Sequence, residues 1–234
     1  MADDQDKNEK MPYNIIGEGQ TDQADIDRAE MAEREAMSLE EWSKRNLPSE
    51  KITFRWRYDN KSIQLYERRL HSLAKFNVGP AIQAWARSRL EWMRDERLFE
   101  MPDGVLVFSI DPEGDIDIQM EPQQPAPVIV DADLVWKDGV LVGANIPGSI
   151  WVVRDGSISM APGPIRHAAD TLVRDLAQAF HLELSDEPIA EGDIDDAEVF
   201  FANDEFGVIP CTGHEGETVD KFVKSFDKLW TLKR

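Results

Sequence analysis

Residues 51–58 alternate, with Ile52, Phe54, Trp56 and Tyr58 interleaved with polar or basic neighbours. A period of two sends one set of side chains to a buried face, so this stretch predicts a strand. Asp59-Asn60 predicts a turn, and residues 62–66 a second strand or the lead into a helix. The spacing then becomes helical over residues 81–94, where Ile82, Ala86, Leu90 and Met93 form one stripe bordered by Trp85 and Trp92. A short apolar strand follows at 105–108, then a turn at 111–114, and Ile116, Ile118 and Met120 alternate again. The run EPQQPAP, residues 121–127, carries three prolines and reads as a linker, because proline serves neither a central strand nor a helix interior.

Beyond the linker, two alternating apolar runs at 140–142 and 149–153 are bordered by Asp138-Gly139 and Asp155-Gly156. Asp-Gly pairs favour tight turns, so this part predicts a strand meander. Leu172, Val173, Leu176, Ala177 and Phe180 then recur at the spacing of a buried helical face. After an acidic run, Val199-Phe200-Phe201 predicts a strand whose loop closes on Val208-Ile209-Pro210. A last helix is expected at 218–233, burying Val219, Phe222, Val223, Phe226 and Trp230, with its lysines toward the end that the helix dipole favours.

The first fifty residues hold 14 acidic and 6 basic side chains and read as an acidic tail. Residues 25–44 within it are helix-friendly, and Ser38-Leu39-Glu40-Glu41 has capping-box spacing just before Trp42. A short docking helix, or a partner-binding segment using Met37, Leu39 and Trp42, is expected there. The four units are therefore 1–50, an N-terminal α/β domain at 51–120, the linker at 121–127 and a C-terminal α/β domain at 128–234.

Seven Trp, ten Phe and 41% hydrophobic residues across 234 positions argue for a buried core. The net charge of −20 opposes nucleic acid and anionic membrane surfaces as partners. A single cysteine, Cys211, allows no internal disulfide, and no apolar run approaches spanning length, so a cytoplasmic protein is expected. The four histidines fall at no metal-ligand spacing, and no metal site is expected. Cys211 and His214 are three apart, a closeness common in turns and too little to mark a nucleophile pair.

Three groups of residues together carry a family resemblance. They are the hairpin from Lys137-Asp138-Gly139 to Arg154-Asp155-Gly156, the stretch from Ala197 through Val199-Phe200-Phe201-Ala202-Asn203 to Gly207-Val208-Ile209-Pro210, and the earlier Arg69-Leu70 pair followed by Ser72. In sequence order they resemble the aminotransferase class IV family, the pyridoxal-phosphate enzymes that include branched-chain aminotransferases and aminodeoxychorismate lyases. The resemblance implies a two-domain α/β fold of the D-amino acid aminotransferase type, here with a shortened N-terminal domain. It also implies a homodimer and a small-molecule site between the domains. Arg69 stands where the family's arginine reaches the cofactor phosphate, and Asn203 stands in the phosphate-side loop, so both are cofactor-binding candidates.

The same resemblance marks departures. A class IV enzyme needs a lysine near the domain junction to hold the cofactor aldehyde, and no lysine occurs between Lys75 and Lys137. Gly143-Ala144-Asn145 stand where the family's glutamate meets the pyridine nitrogen. His167-Ala168-Ala169 replace a Gly-Ile-Thr helix start, which would offer amides and a hydroxyl to the phosphate. Asp204, beside Glu205, stands where the family has a second hydroxyl, and a carboxylate about 4 Å from a phosphate is repelled by roughly 4 kcal/mol.

No catalytic residue is therefore assigned and no cofactor is expected. The preferred expectation is a degenerate, non-catalytic relative that acts as a binding or interaction protein. The alternative is an active pyridoxal-phosphate aminotransferase or lyase using a displaced lysine, Lys75 or Lys137. A third reading gives the cleft a cationic ligand drawn by Asp204 and Glu205.

Overall fold

The computed structural model describes residues 48–73, 80–95, 101–161 and 167–230. The segment at 25–44, Lys75 and the last four residues lie outside them.

Strand β1 (Ile52–Asp59) turns through Asn60 and Lys61, both at positive φ, into the two-residue β2 (Ser62–Ile63). Helix α1 (Tyr66–Leu73) follows directly, so the stretch after the turn is both strand and helix lead-in. Helix α2 (Pro80–Asp95) precedes β3 (Gly104–Ile110) and β4 (Ile116–Glu121). These strands form an antiparallel sheet in the order β2-β1-β3-β4. The alternation in β1 sends Phe54, Trp56 and Tyr58 into a core shared with Leu106 and Phe108 and with Leu70, Leu73, Ala86 and Leu90 of the helices. It leaves Arg55 and Arg57 on the other face.

Residues 122–128 form neither helix nor strand. A hairpin of β5 (Leu134–Lys137) and β6 (Val140–Ala144) comes next, turning at Asp138 and Gly139, both at positive φ. Then come β7 (Ser149–Arg154), β8 (Ser157–Ala161), helix α3 (Ala168–Ala179) and β9 (Glu183–Ser185). The last elements are β10 (Glu198–Asn203), β11 (Gly207–Pro210) and helix α4 (Glu217–Trp230). The second sheet runs β11-β10-β7-β8-β9, with β9 parallel to β8.

This sheet is buried on both faces. Trp151, Val153, Phe200 and Ala202 pack under α3 and α4, while Ile150, Val152, Val199 and Phe201 pack under the β5–β6 hairpin with Ile189, Ile194 and Cys211. Continuous apolar runs are what such a middle layer requires, so residues 149–153 are a two-sided core strand and not the half-buried one that alternation predicts. Strands β8 and β9 escape the sequence reading because β8 is half polar and β9 has three residues inside an acidic run. Helix α4 begins at Glu217, one residue before the expected start, and residues 231–233 of the expected span lie outside the described residues.

Candidate functional site

Pairing with β3 uses one edge of β1, and the short β2 covers only the end of the other. An open edge in mid-sheet needs partners for its amides and carbonyls. Here they come from α1 and the β10–β11 turn. The amide of Arg57 donates to the Asp204 carbonyl at 3.2 Å. The Arg69 guanidinium, completely buried, donates to the carbonyls of Arg57 at 2.6 Å and Asp204 at 2.8 Å. Arg69 thus ties the first sheet to the second half of the chain through backbone oxygens. Burial, the largest influence, brings its pKa down to about 10 against the opposing charges of Asp204 and Asp59, so it stays protonated at neutral pH.

The first amides of a helix have no partner inside it. At α3 one carboxylate takes two of them, since Asp204 accepts from the amides of Ala168 at 3.0 Å and Ala169 at 2.8 Å. The helix also caps itself. His167 precedes it in extended conformation, and Asp170, three residues on, accepts from the His167 amide at 3.1 Å and from the Ser149 hydroxyl at 3.1 Å. The Asp170 amide in turn donates to the His167 carbonyl at 3.2 Å. The leading amides of α3 are therefore all engaged.

Four ionisable groups, Asp204, His167, Asp170 and Arg69, meet in this buried corner. Asp204 is 1% exposed, with His167 Nδ1 at 3.5 Å from its Oδ2. Burial works against the Asp204 carboxylate most strongly, but the His167 contact, the Arg69 charge and the amide bonds outweigh it and hold the pKa below the usual range. For His167 burial again leads and favours the neutral ring, yet Asp204 and Asp170 prevail and the pKa is raised. Burial raises the pKa of Asp170. His167 Nε2 and Asp170 Oδ1 are buried without a hydrogen-bond partner among the described residues.

Arg69 and Asn203, the two cofactor-binding candidates, do come together on either side of Asp204. Asn203 folds the turn, as its Oδ1 accepts from the amides of Glu205 at 3.1 Å and Phe206 at 2.7 Å, and its Nδ2 donates to the Pro147 carbonyl at 3.0 Å. Glu205 is gripped by Arg55 at 2.6 and 3.1 Å. With Asp204 on the α3 amides and Glu205 on Arg55, neither carboxylate is left to draw the cationic ligand of the third reading.

The ligating role of Asp204 is not legible in the sequence, where the residue stands as a repulsive replacement for a hydroxyl. Asp170 and Ser149 also go unmarked there. The signal for Asp170 was present, because His167-x-x-Asp170 has the cap-to-third-residue spacing at which a side chain reaches back to the cap amide.

The remaining candidates lie elsewhere. The Cys211 thiol is buried and pushed up to about 11 by that burial and by Asp131, so it is no thiolate at neutral pH. His214 turns its ring to Asp131 at 2.9 Å and to the Ala197 carbonyl at 3.3 Å. Lys137 is exposed at the end of β5. Asn145 donates its amide and its side chain to the carbonyls of Asp133 and Ala132. Among the described residues no group of three or more acidic, His or Cys side chains is placed to hold a metal, and no helix is long and apolar enough to cross a membrane.

No protein-family model and no curated protein matches the sequence. Solved structures do match the fold. The chain is similar to 4-amino-4-deoxychorismate lyase from Pseudomonas aeruginosa, with a TM-score of 0.61 at 15% identity over 76% of this chain and 90% of that one. It is also similar to a hypothetical aminotransferase from Mycobacterium tuberculosis. Against the apo form the TM-score is 0.61 at 13% identity, covering 79% and 90% of the two chains. Against the PLP-bound form it is 0.59 at 10% identity, covering 78% and 89%. The molecule has the mixed α/β fold of the class IV aminotransferase structures, as the sequence motifs implied.

Proposed function

We propose that this chain is a non-catalytic relative of the class IV aminotransferases and aminodeoxychorismate lyases, acting as a binding or interaction protein. One observation carries the reading: the Asp204 carboxylate occupies the α3 amides at 2.8 and 3.0 Å. A helix N-terminus is a natural seat for a phosphate, and the sequence resemblance puts the cofactor phosphate at this helix start. Here the seat holds the chain's own anion, completely desolvated and braced by His167 and Arg69. A phosphate there would face that carboxylate across a short gap, so the residues present do not fit pyridoxal phosphate.

The lysines support the same reading. Every lysine among the described residues is exposed, Lys137 included. An amine that holds the cofactor aldehyde works inside a desolvated pocket. The chain keeps the scaffold, and its interdomain contacts are made by its own side chains. We assign it the two-subunit assembly that the resemblance implies, with its partner or ligand held outside the α3 corner.

The test is incubation of the purified protein with excess pyridoxal phosphate, exhaustive dialysis, borohydride reduction and intact-mass analysis. The expected outcome is an unmodified mass and no retained visible absorption. One stoichiometric addition at a single lysine overturns the reading.

A further inference from the structure

The stretch Pro122-Gln123-Gln124-Pro125-Ala126-Pro127-Val128 joins the two halves of the chain and takes no part in the Asp204 corner. It is exposed apart from the half-buried Pro127. Both of its ends are fixed. Glu121 closes β4, pairing with Val105 of β3, and its carboxylate meets Arg55 at 2.9 Å. Ile129 is completely buried, bridges to Cys211, and accepts from the Thr212 amide at 2.8 Å.

Proline chemistry dictates the conformation in between. Each proline holds φ near −65° and drives the residue before it out of the helical region. Glu121, Gln124 and Ala126 each precede a proline, so only Gln123 and Val128 escape both restraints. Among the described residues the stretch makes a single hydrogen bond, from the Gln124 side chain to the Pro122 carbonyl at 3.4 Å. Polyproline II, which has no internal bonds, satisfies all of this. Its three residues per turn put Pro122, Pro125 and Val128 on one edge, about 9 Å apart. Val128 is 73% exposed, so the apolar edge runs on past the prolines.

The surroundings are acidic. Residues 98–136 contain neither Lys nor Arg. At one end Arg55 is shared by Glu121 and Glu205. At the other, Asp131, Asp133 and Glu215 all bear on Cys211, and His214 faces Asp131. Even with His214 protonated, these five carboxylates outnumber the two cations.

We propose that residues 122–128 are a docking strip for a partner domain whose groove is lined by aromatic rings and rimmed by basic side chains. The rings take Pro122, Pro125 and Val128, as polyproline-reading grooves do, and the rim meets the flanking acids. A strip already stiff and held at both ends loses little freedom on docking. This gives a partner class to the interaction role proposed above. A phosphate seated at α3 would leave the strip unchanged, so the two readings fail separately.

The test titrates the full chain into isotope-labelled SH3 and WW domains, some with basic and some with acidic rims, and follows the domain resonances. Saturable binding in the aromatic groove of basic-rimmed members is expected, weakened several-fold by added salt. Pro122→Ala and Pro125→Ala should each weaken it about fivefold or more, the loss expected of an interface anchor. Val128→Ser should weaken it less, and Gln123→Ala, off the apolar edge, should leave it unchanged. All four variants should keep the natural unfolding transition.

Four outcomes overturn the proposal. They are binding by none of the domains, binding indifferent to the combined Pro122→Ala and Pro125→Ala change, acidic rims binding as tightly as basic ones, and slow amide exchange at Gln123, Gln124 and Ala126 in the free chain. The last would mean that the strip is already covered, by the chain's own N-terminal segment or by a second copy.

Discussion

The carboxylate of Asp204 lies 2.8 Å from the amide of Ala169, across 35 residues of chain, and so caps a helix it does not belong to. The same residue offers its backbone carbonyl to Arg69 and to the amide of Arg57. One side chain in the β10–β11 turn therefore serves α3, while its own main chain fastens the turn to α1 and β1.

Replacing Asp204 by Ala strips two buried amides of their acceptor. Each unsatisfied group costs about 1–3 kcal/mol, so a loss of about 3 kcal/mol in unfolding free energy is expected by urea denaturation. Asp204→Asn keeps one acceptor and should lose less. Excess formate, small enough to enter the vacated space, should restore part of the Asp204→Ala loss and do nothing for the natural protein.

The pH dependence follows from the two shifted partners. His167 is held above its ordinary 6.5, so its contribution is complete below that value and fades as pH rises through the folded-state pKa. Asp204 is held below its ordinary 3.8, so its contribution is complete above that value and fades as pH falls through the lowered one. Asp170, raised by burial, adds a penalty that grows with pH above its ordinary 3.8. Arg69 is the remaining charge facing His167, and it opposes protonation. Urea unfolding from acid to mildly alkaline pH should show stability declining above pH 6.5, with a shallower decline in His167→Gln.

Arg69→Met removes a buried cation that serves two carbonyls. Leaving the Arg57 carbonyl without its donor, and the Asp204 carbonyl with the Arg57 amide alone, should cost about 1–3 kcal/mol in the same denaturation experiment. Arg69→Lys keeps the charge but not the planar fork, and should recover only part of the loss.

Gly148 is fixed by packing. A Cβ there would overlap the Phe201 ring and come 2.9 Å from the Ala202 carbonyl. Gly148→Ala should therefore destabilise by about 1–3 kcal/mol as the core strands shift, read as a lower thermal midpoint. Gly139→Ala meets no neighbour within 4 Å but must hold φ +77, so its cost comes from backbone strain alone.

The parts of the fold legible in the sequence are those where one periodicity dominates. The alternation of Phe54, Trp56 and Tyr58 against Arg55 and Arg57 placed β1 and its core face, and the stripe of Leu172, Val173 and Leu176 placed α3. Strand β9 was hidden because its three residues sit in an acidic run and gain their pairing only from β8, over twenty residues back. Motif matching singled out Arg69 and Asn203, which hold the turn that carries Asp204. It could not show that Asp204 ligates amides, because a carboxylate repels a phosphate yet itself satisfies the donors a phosphate would use. Which anion sits there depends on a turn and a helix start 35 residues apart meeting in space.

The most direct measurement is a crystal structure from crystals grown in phosphate and soaked with pyridoxal phosphate. The expected density places the Asp204 carboxylate within hydrogen-bond distance of the Ala168 and Ala169 amides, with no phosphate at the start of α3. A phosphate seated on those amides, with Asp204 swung away, would contradict it.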